Sequence, residues 1–223
     1  MIQLTYRGVS GEPEISGLRS EFERNHMFSI PQLLDDNLLA FLSGRLKNAK
    51  WNGSEYKRIG SEATLDDPLM LNALTFVINT PRFLDLIRGI TGCDRINNFG
   101  GRVYRMSPHP EGAGAAPAAF HWHDDTSDTK RLVGMSVNLS EEPYEGGTFR
   151  LRKTGSHKTL GDLPNLRFGG AIFFRITPEL EHMVSAIEGN APKTAFAGWF
   201  SAVNWTHRGA IQGLPAETTL QTA

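Results

Sequence analysis

From residue 102 onward the chain breaks into seven short runs of strand type, at 102–106, 120–125, 132–139, 148–152, 171–176, 182–187 and 194–200. Runs of this length, separated by turn residues, suit strands better than helices. In the third, Val133, Met135, Val137 and Leu139 alternate with Gly134, Ser136 and Asn138, so one face meets apolar core and the other is small or polar. Gly146-Gly147, Gly155 and Gly169-Gly170 punctuate the runs, as turns between antiparallel strands require. This half of the chain is committed to a β core.

The first hundred residues read differently. Leu34, Leu38, Phe41, Leu42 and Leu46 recur at helical spacing, which predicts a helix over 29–51 with Pro31 near its start. Asp67-Pro68 opens a second helix through Ile78, and Thr80-Pro81 opens a third that Gly92 stops. No repeat and no long linker interrupts the order. Helices followed by strands predict one α+β domain over 1–223, with a helical layer over 1–100 and a β core over 101–208. Residues 107–119 contain Pro108, Pro110 and Pro117 and little to bury, so a long loop, placed to act as a lid, is expected there. The polar stretch 209–223 is expected to fray.

Charge and cysteine count exclude several function classes. Lys+Arg 23 against Asp+Glu 24 leaves a net charge of -1, which gives no bulk attraction for nucleic acid or anionic lipid. The one cysteine, Cys93, rules out a disulfide framework or a multi-cysteine metal site and suits a reducing compartment. No apolar stretch has the length of a membrane helix, and the first ten residues lack signal-peptide order, so a soluble cytoplasmic protein is expected.

Chemistry concentrates in Phe120-His-Trp-His-Asp-Asp125, where two imidazoles and two carboxylates fall within six residues. On a strand, His123 and Asp125 share one face while Asp124 points away. His182, after the apolar run 171–176, can supply a third group. Two imidazoles and a carboxylate on one side of an octahedral ion leave positions open, as non-haem Fe(II) oxygenases require. His121 shares the predicted face with His123, so a cupin-like set of His121, His123, Asp128 and His182 is an alternative metal site on the same kind of barrel. Trp122 is assigned to packing and Trp199 to plugging the barrel. Arg150, Arg152 and Arg175 are charges that must reach solvent or an anion.

The ordered set Tyr104, Phe120-x-x-His123-x-Asp125, Arg131, Asn138, Tyr144-x-Gly146-Gly147, Phe149-x-Leu151, Gly170-x-x-x-Phe174, His182-x-Val184, Lys193 and Gly198-Trp199-Phe200 resembles the prolyl 4-hydroxylase-like branch of the Fe(II)/2-oxoglutarate-dependent dioxygenases. It spans Tyr104 to Phe200, about half of the chain. The resemblance implies a double-stranded β-helix, or jelly roll, buttressed by the N-terminal helices, with Fe(II) on His123, Asp125 and His182. It also implies that Lys193, eleven residues after His182, holds the distal carboxylate of 2-oxoglutarate, with Tyr104 and Thr194 as further contacts. In that family 2-oxoglutarate and O2 yield succinate and CO2 as an unactivated C–H is oxidised, most often to an alcohol. Asp125 in the triad argues against halogenation, because the family's halogenases lack this carboxylate. The expected substrate is a small molecule or an amino-acid or peptide group. A jelly-roll binding module that has lost the reaction is the remaining alternative, and the complete triad speaks against it.

Overall fold

Alternation along antiparallel strands sorts the side chains of this protein into two separate cores. The computed structural model describes residues 2–12, 14–56, 60–108 and 119–202. In chain order the elements are β1 (Gln3–Thr5), β2 (Gly8–Ser10), α1 (Ile15–Asn25), β3 (Met27–Ile30), α2 (Asp36–Leu46), β4 (Trp51–Tyr56), β5 (Gly60–Leu65), α3 (Pro68–Ile78) and α4 (Pro81–Thr91). There follow β6 (Asn98–Met106), β7 (Phe120–His123), β8 (Arg131–Asn138), β9 (Glu145–Gly146), β10 (Phe149–Lys153) and β11 (Thr159–Leu163). The last are β12 (Ala171–Arg175), β13 (Leu180–Val184), β14 (Ile187–Glu188) and β15 (Lys193–Ser201).

A seven-stranded sheet, in the order β3-β12-β8-β15-β6-β5-β4, faces a four-stranded sheet, β11-β10-β13-β7. Every paired strand in both is antiparallel. The two sheets form a double-stranded β-helix. On β15, Phe196 and Phe200 join a core that includes Phe22, Phe28, Phe83, Leu38 and Leu74, between the large sheet and the helices. Ala195, Ala197 and Trp199 point the other way, into a lumen between the sheets shared with Tyr104, Phe120, Phe149, Phe174 and Val184.

The helices at 68–78 and 81–91 form where the Asp-Pro and Thr-Pro pairs predict them. The Asp67 carboxylate accepts from the Met70 N–H at 3.1 Å, and Gly92 ends α4 in the left-handed region at φ 67. Thr80 does not cap with its side chain; its hydroxyl donates to the Val77 carbonyl at 3.0 Å. The helix expected over 29–51 is shorter than its apolar stripe. Residues 27–30 pair as a strand with β12, the Leu33 and Leu34 amides donate to the Gly169 carbonyl, and Asp35 then caps α2 at Leu38. Trp51 already belongs to β4. Among the described residues of the first hundred, five strands lie alongside the four helices, and a sixth strand begins at Asn98. Most of the expected lid, 109–118, and the tail 209–223 lie outside the described residues.

Candidate active site

Strand pairing brings the two histidines together from distant parts of the chain. His182 lies mid-way along β13, not at the start of a strand, and registers with His123 at the end of β7. Their ring centroids are 4.2 Å apart. Asp125 reaches the same point by a different route from the one strand alternation predicts. β7 stops at His123, and Asp125 takes φ 59, a conformation uncommon for a non-glycine residue and tolerated best by Asp and Asn. A left-handed residue after the strand swings the carboxylate back over the ladder. The result is a cluster in which one ligand atom from each of His123, Asp125 and His182 lies within 4.8 Å of the others.

The surroundings prepare each group to bind a metal. The His123 Nδ1 is 2.6 Å from the His121 carbonyl, which can only accept, so Nδ1 carries the proton and Nε2 offers its lone pair. Burial, reinforced by His182, pushes His123 below its ordinary pKa and keeps it neutral. His182 is 6% exposed and packs against a pair of rings, Phe174 at 4.5 Å and Phe149 at 5.8 Å, which lie 4.7 Å from each other. For Asp125 burial works toward protonation, but His182, His123 and Trp199 outweigh it and hold the carboxyl well below the usual range. One oxygen, Oδ2, is 3.4 Å from His182 Nε2 and accepts from Trp199 Nε1 at 2.7 Å. Oδ1 lies 3.6 Å from Arg131, whose guanidinium stacks 3.7 Å over the Trp199 ring. Trp199 therefore lines the lumen and braces the Asp125 carboxylate. The Gly-Trp motif alone gave only a bulky apolar group, because the indole N–H finds Asp125 through the turn at 125.

Farther along the same lumen face of β15 lies Lys193. It is 6% exposed, donates to the Gly147 carbonyl at 2.7 Å and sits 5.8 Å from the Tyr144 ring centroid. Burial lowers its pKa to about 8. Among the described residues no carboxylate pairs with it, so this buried ammonium lacks the anion that would normally offset its desolvation. Tyr104 faces the same lumen, 4% exposed and edge-on to Phe120, and burial raises its phenol above the ordinary range. Thr194 does not share this space. It follows Lys193 on the strand, so it points to the opposite face, where its hydroxyl accepts from Arg105 Nε at 3.2 Å.

The cupin-like set is not assembled. His121 and Asp128 are exposed, and Asp128 caps its own turn at the Lys130 N–H. Trp122 lies on the outer face of the small sheet under the Arg152 guanidinium, outside both cores. Arg150 and Arg152 pair on that face with Asp162 and Glu181, and Arg175 lies over Phe22. None of the three points into the lumen.

Residues 113–201 match a family model described as the 2OG-Fe(II) oxygenase superfamily. The match covers the β core of the chain, from just before β7 to the end of β15. This oxygenase has the fold of a prolyl-4-hydroxylase from Pseudomonas putida, at 17% identity and a TM-score of 0.62 over 85% of this chain and 100% of that one. A Trichoplax adhaerens prolyl hydroxylase, solved with a hypoxia inducible factor oxygen degradation domain peptide fragment, matches at 13% identity and TM-score 0.64, covering 84% and 89%. The epimerase SnoN, solved with Fe3+, alpha ketoglutarate and nogalamycin RO, matches at 14% identity and TM-score 0.58, covering 84% and 83%. No curated protein matches the sequence. The oxygenase is a 2-oxoglutarate-dependent dioxygenase using iron, 2-oxoglutarate and O2. Its residues suit both partners: two imidazoles and one carboxylate form a candidate iron site, and the lumen holds a buried cation for a dicarboxylate.

Proposed function

We propose that this oxygenase hydroxylates an unactivated C–H of a small molecule or of an amino-acid or peptide substrate. The observation that carries the reading is the convergence of His123, Asp125 and His182 at one end of a lumen whose wall also carries the buried Lys193. In this reading the three side chains hold Fe(II). Lys193 holds the distal carboxylate of 2-oxoglutarate, with Tyr104 bounding that part of the lumen. Bound iron would let O2 oxidise both partners, one oxygen atom entering the substrate C–H and the other the succinate left as 2-oxoglutarate loses CO2. The chain contributes binding and orientation. His123 and His182 offer their imidazole nitrogens as ligands, Trp199 and Arg131 fix the Asp125 oxygens, and the apolar rings of Phe149, Phe174 and Phe120 keep water from the wall around the metal.

Among the described residues no helix is long and apolar enough to cross a membrane. The single cysteine and near-neutral charge support a cytoplasmic protein that needs neither nucleic acid nor lipid as a partner. The prolyl hydroxylase likeness supports peptidyl or amino-acid substrates, and the epimerase likeness supports small molecules. The test is a charge-transfer band on adding Fe(II) and 2-oxoglutarate without oxygen, then succinate release across a metabolite and peptide library. A hit whose product gains one oxygen atom supports hydroxylation. Metal binding with no band and no succinate would instead favour a jelly-roll binding protein.

A further inference from the structure

Behind the two histidines, on the outer face of the small sheet, lies a cluster that the reaction does not use. Arg152 on β10 pairs with Glu181 on β13 at 2.9 Å, and its guanidinium carbon sits 3.9 Å over the Trp122 ring on β7. β10 and β7 are not neighbours. β13 lies between them, so their axes are roughly 9–10 Å apart and the arginine reaches across the middle strand. Each member is adjacent in sequence to a lumen residue: Trp122 to His123, Glu181 to His182 and Arg152 to Leu151. In the ladder, Leu151 registers with His182 and His182 with His123.

The backbone by itself defines this alignment poorly. β7 is a four-residue strand at the sheet edge, and its ladder with β13 registers only His182 with His123 and Val184 with Phe120, with a shift between them. A short, bulged edge ladder leaves sliding and twist weakly specified. The side-chain bridge acts where that ladder is weakest. Arg152 and Glu181 are only 19% and 21% exposed, whereas Arg150 and Asp162, one ladder step away, are 43% and 46% exposed and 3.4 Å apart. The first pair is shielded enough to hold a geometry, and the second is an ordinary surface pair.

We infer that Trp122, Arg152 and Glu181 are positioning residues, an outer clamp that holds His123 against His182 and so sets the affinity and geometry of the metal centre. The inference rests on the reading of His123, Asp125 and His182 as metal ligands. Its test is an oxygen-free Co(II) titration without 2-oxoglutarate, read from the visible d–d band, with melting curves of the metal-free proteins alongside. Arg152→Met and Trp122→Leu are each expected to weaken Co(II) binding about tenfold and to shift the band. The double variant should be no weaker than the worse single one, because both changes release the same clamp. Arg152→Lys should recover part of the loss, and Arg150→Met should bind as the wild type does. Glu181→Gln is expected to weaken binding as Arg152→Met does, which keeps the clamp testable if Arg152→Met fails to fold. Wild-type affinity in the clamp variants, or an equal loss in Arg150→Met, overturns the clamp. His123→Ala separates the two levels: undiminished Co(II) binding in that variant overturns the metal site itself.

Discussion

At the scale of single residues, the proposed iron site includes Asp125, and two neighbours decide how well its carboxylate is held. Trp199→Phe keeps the ring beneath Arg131 but removes the N–H that donates to Oδ2 at 2.7 Å. Metal affinity is expected to fall by about tenfold with little change in melting temperature, measured by titration and by calorimetry. An unchanged affinity would show that the indole only packs. Lys193 makes a prediction in pH. Its pKa is lowered to about 8 by burial, so in the free protein it is charged below that value and neutral above it. Between about 8 and the unfolded value of 10.5 the unfolded chain binds more protons, so stability without cosubstrate rises with pH through that window. Affinity for 2-oxoglutarate should move oppositely, weakening as the ammonium is lost above about pH 8. Lys193→Arg should flatten that dependence, and Lys193→Ala should raise the 2-oxoglutarate requirement at every pH. A 2-oxoglutarate KM that is flat from pH 7 to 10 in the wild type would move the carboxylate to another cation. His123 and His182 are legible from residue type and spacing, whereas the left-handed turn that delivers Asp125 is not. Alternation selects Asp125 over Asp124 only while the strand continues, and it ends two residues earlier.

At the scale of elements, local signals were readable where a helix start has its own chemistry and unreadable where pairing decides. Asp67-Pro68 announces α3 because the carboxylate can satisfy a free N–H and proline already has the helical φ. The four residues of β3 give no such signal. Met27, Phe28 and Ile30 are apolar on both faces because the strand borders both cores, and the leucines after them continue the stripe of α2. β4 and β5 carry no strand signal of their own, because Trp51-Asn-Gly-Ser-Glu-Tyr56 is largely polar and β4 joins the sheet through β5. Asp67 also shows how an element end becomes tertiary, since Arg45 from α2 grips both its oxygens at 2.6 and 2.9 Å. Asp67→Ala should cost about 1–2 kcal/mol, the usual range for a lost cap, and lower the melting temperature by about 2–4 °C per kcal/mol. Asp67→Asn keeps the cap acceptor and should retain most of that stability. If the two variants melt alike and both far below the wild type, the Arg45 ion pair rather than the cap holds α3.

At the scale of the whole molecule, the seven-stranded sheet separates the bulk of the packing from the chemistry. Its helical face carries the larger apolar core, while its lumen face is lined by the smaller cluster in which His182 and Lys193 are buried. A barrel that binds polar ligands cannot fill its lumen with apolar side chains, so stability has to come mainly from the other face. Two substitutions on opposite faces test this division. Phe28 is fully buried on the helical side and stacks on Phe173 with centroids 4.6 Å apart. Phe28→Ala should cost about 3–5 kcal/mol, lower the melting temperature by roughly 6–20 °C and leave metal affinity at 25 °C within about twofold. Gly134 lies on the lumen side, where an added Cβ would run into the Phe174 ring, and that ring packs 4.5 Å from His182. Gly134→Ala must displace Phe174, and the rings that receive the displacement are His182, of the proposed iron site, and Phe149. It should therefore lose more than tenfold in metal affinity with a smaller fall in melting temperature than Phe28→Ala. Calorimetry and Co(II) titration on the same two proteins decide the matter. Parallel losses of stability and affinity in both would mean that the sheet transmits strain between its faces, and that the lumen is not energetically separate from the core.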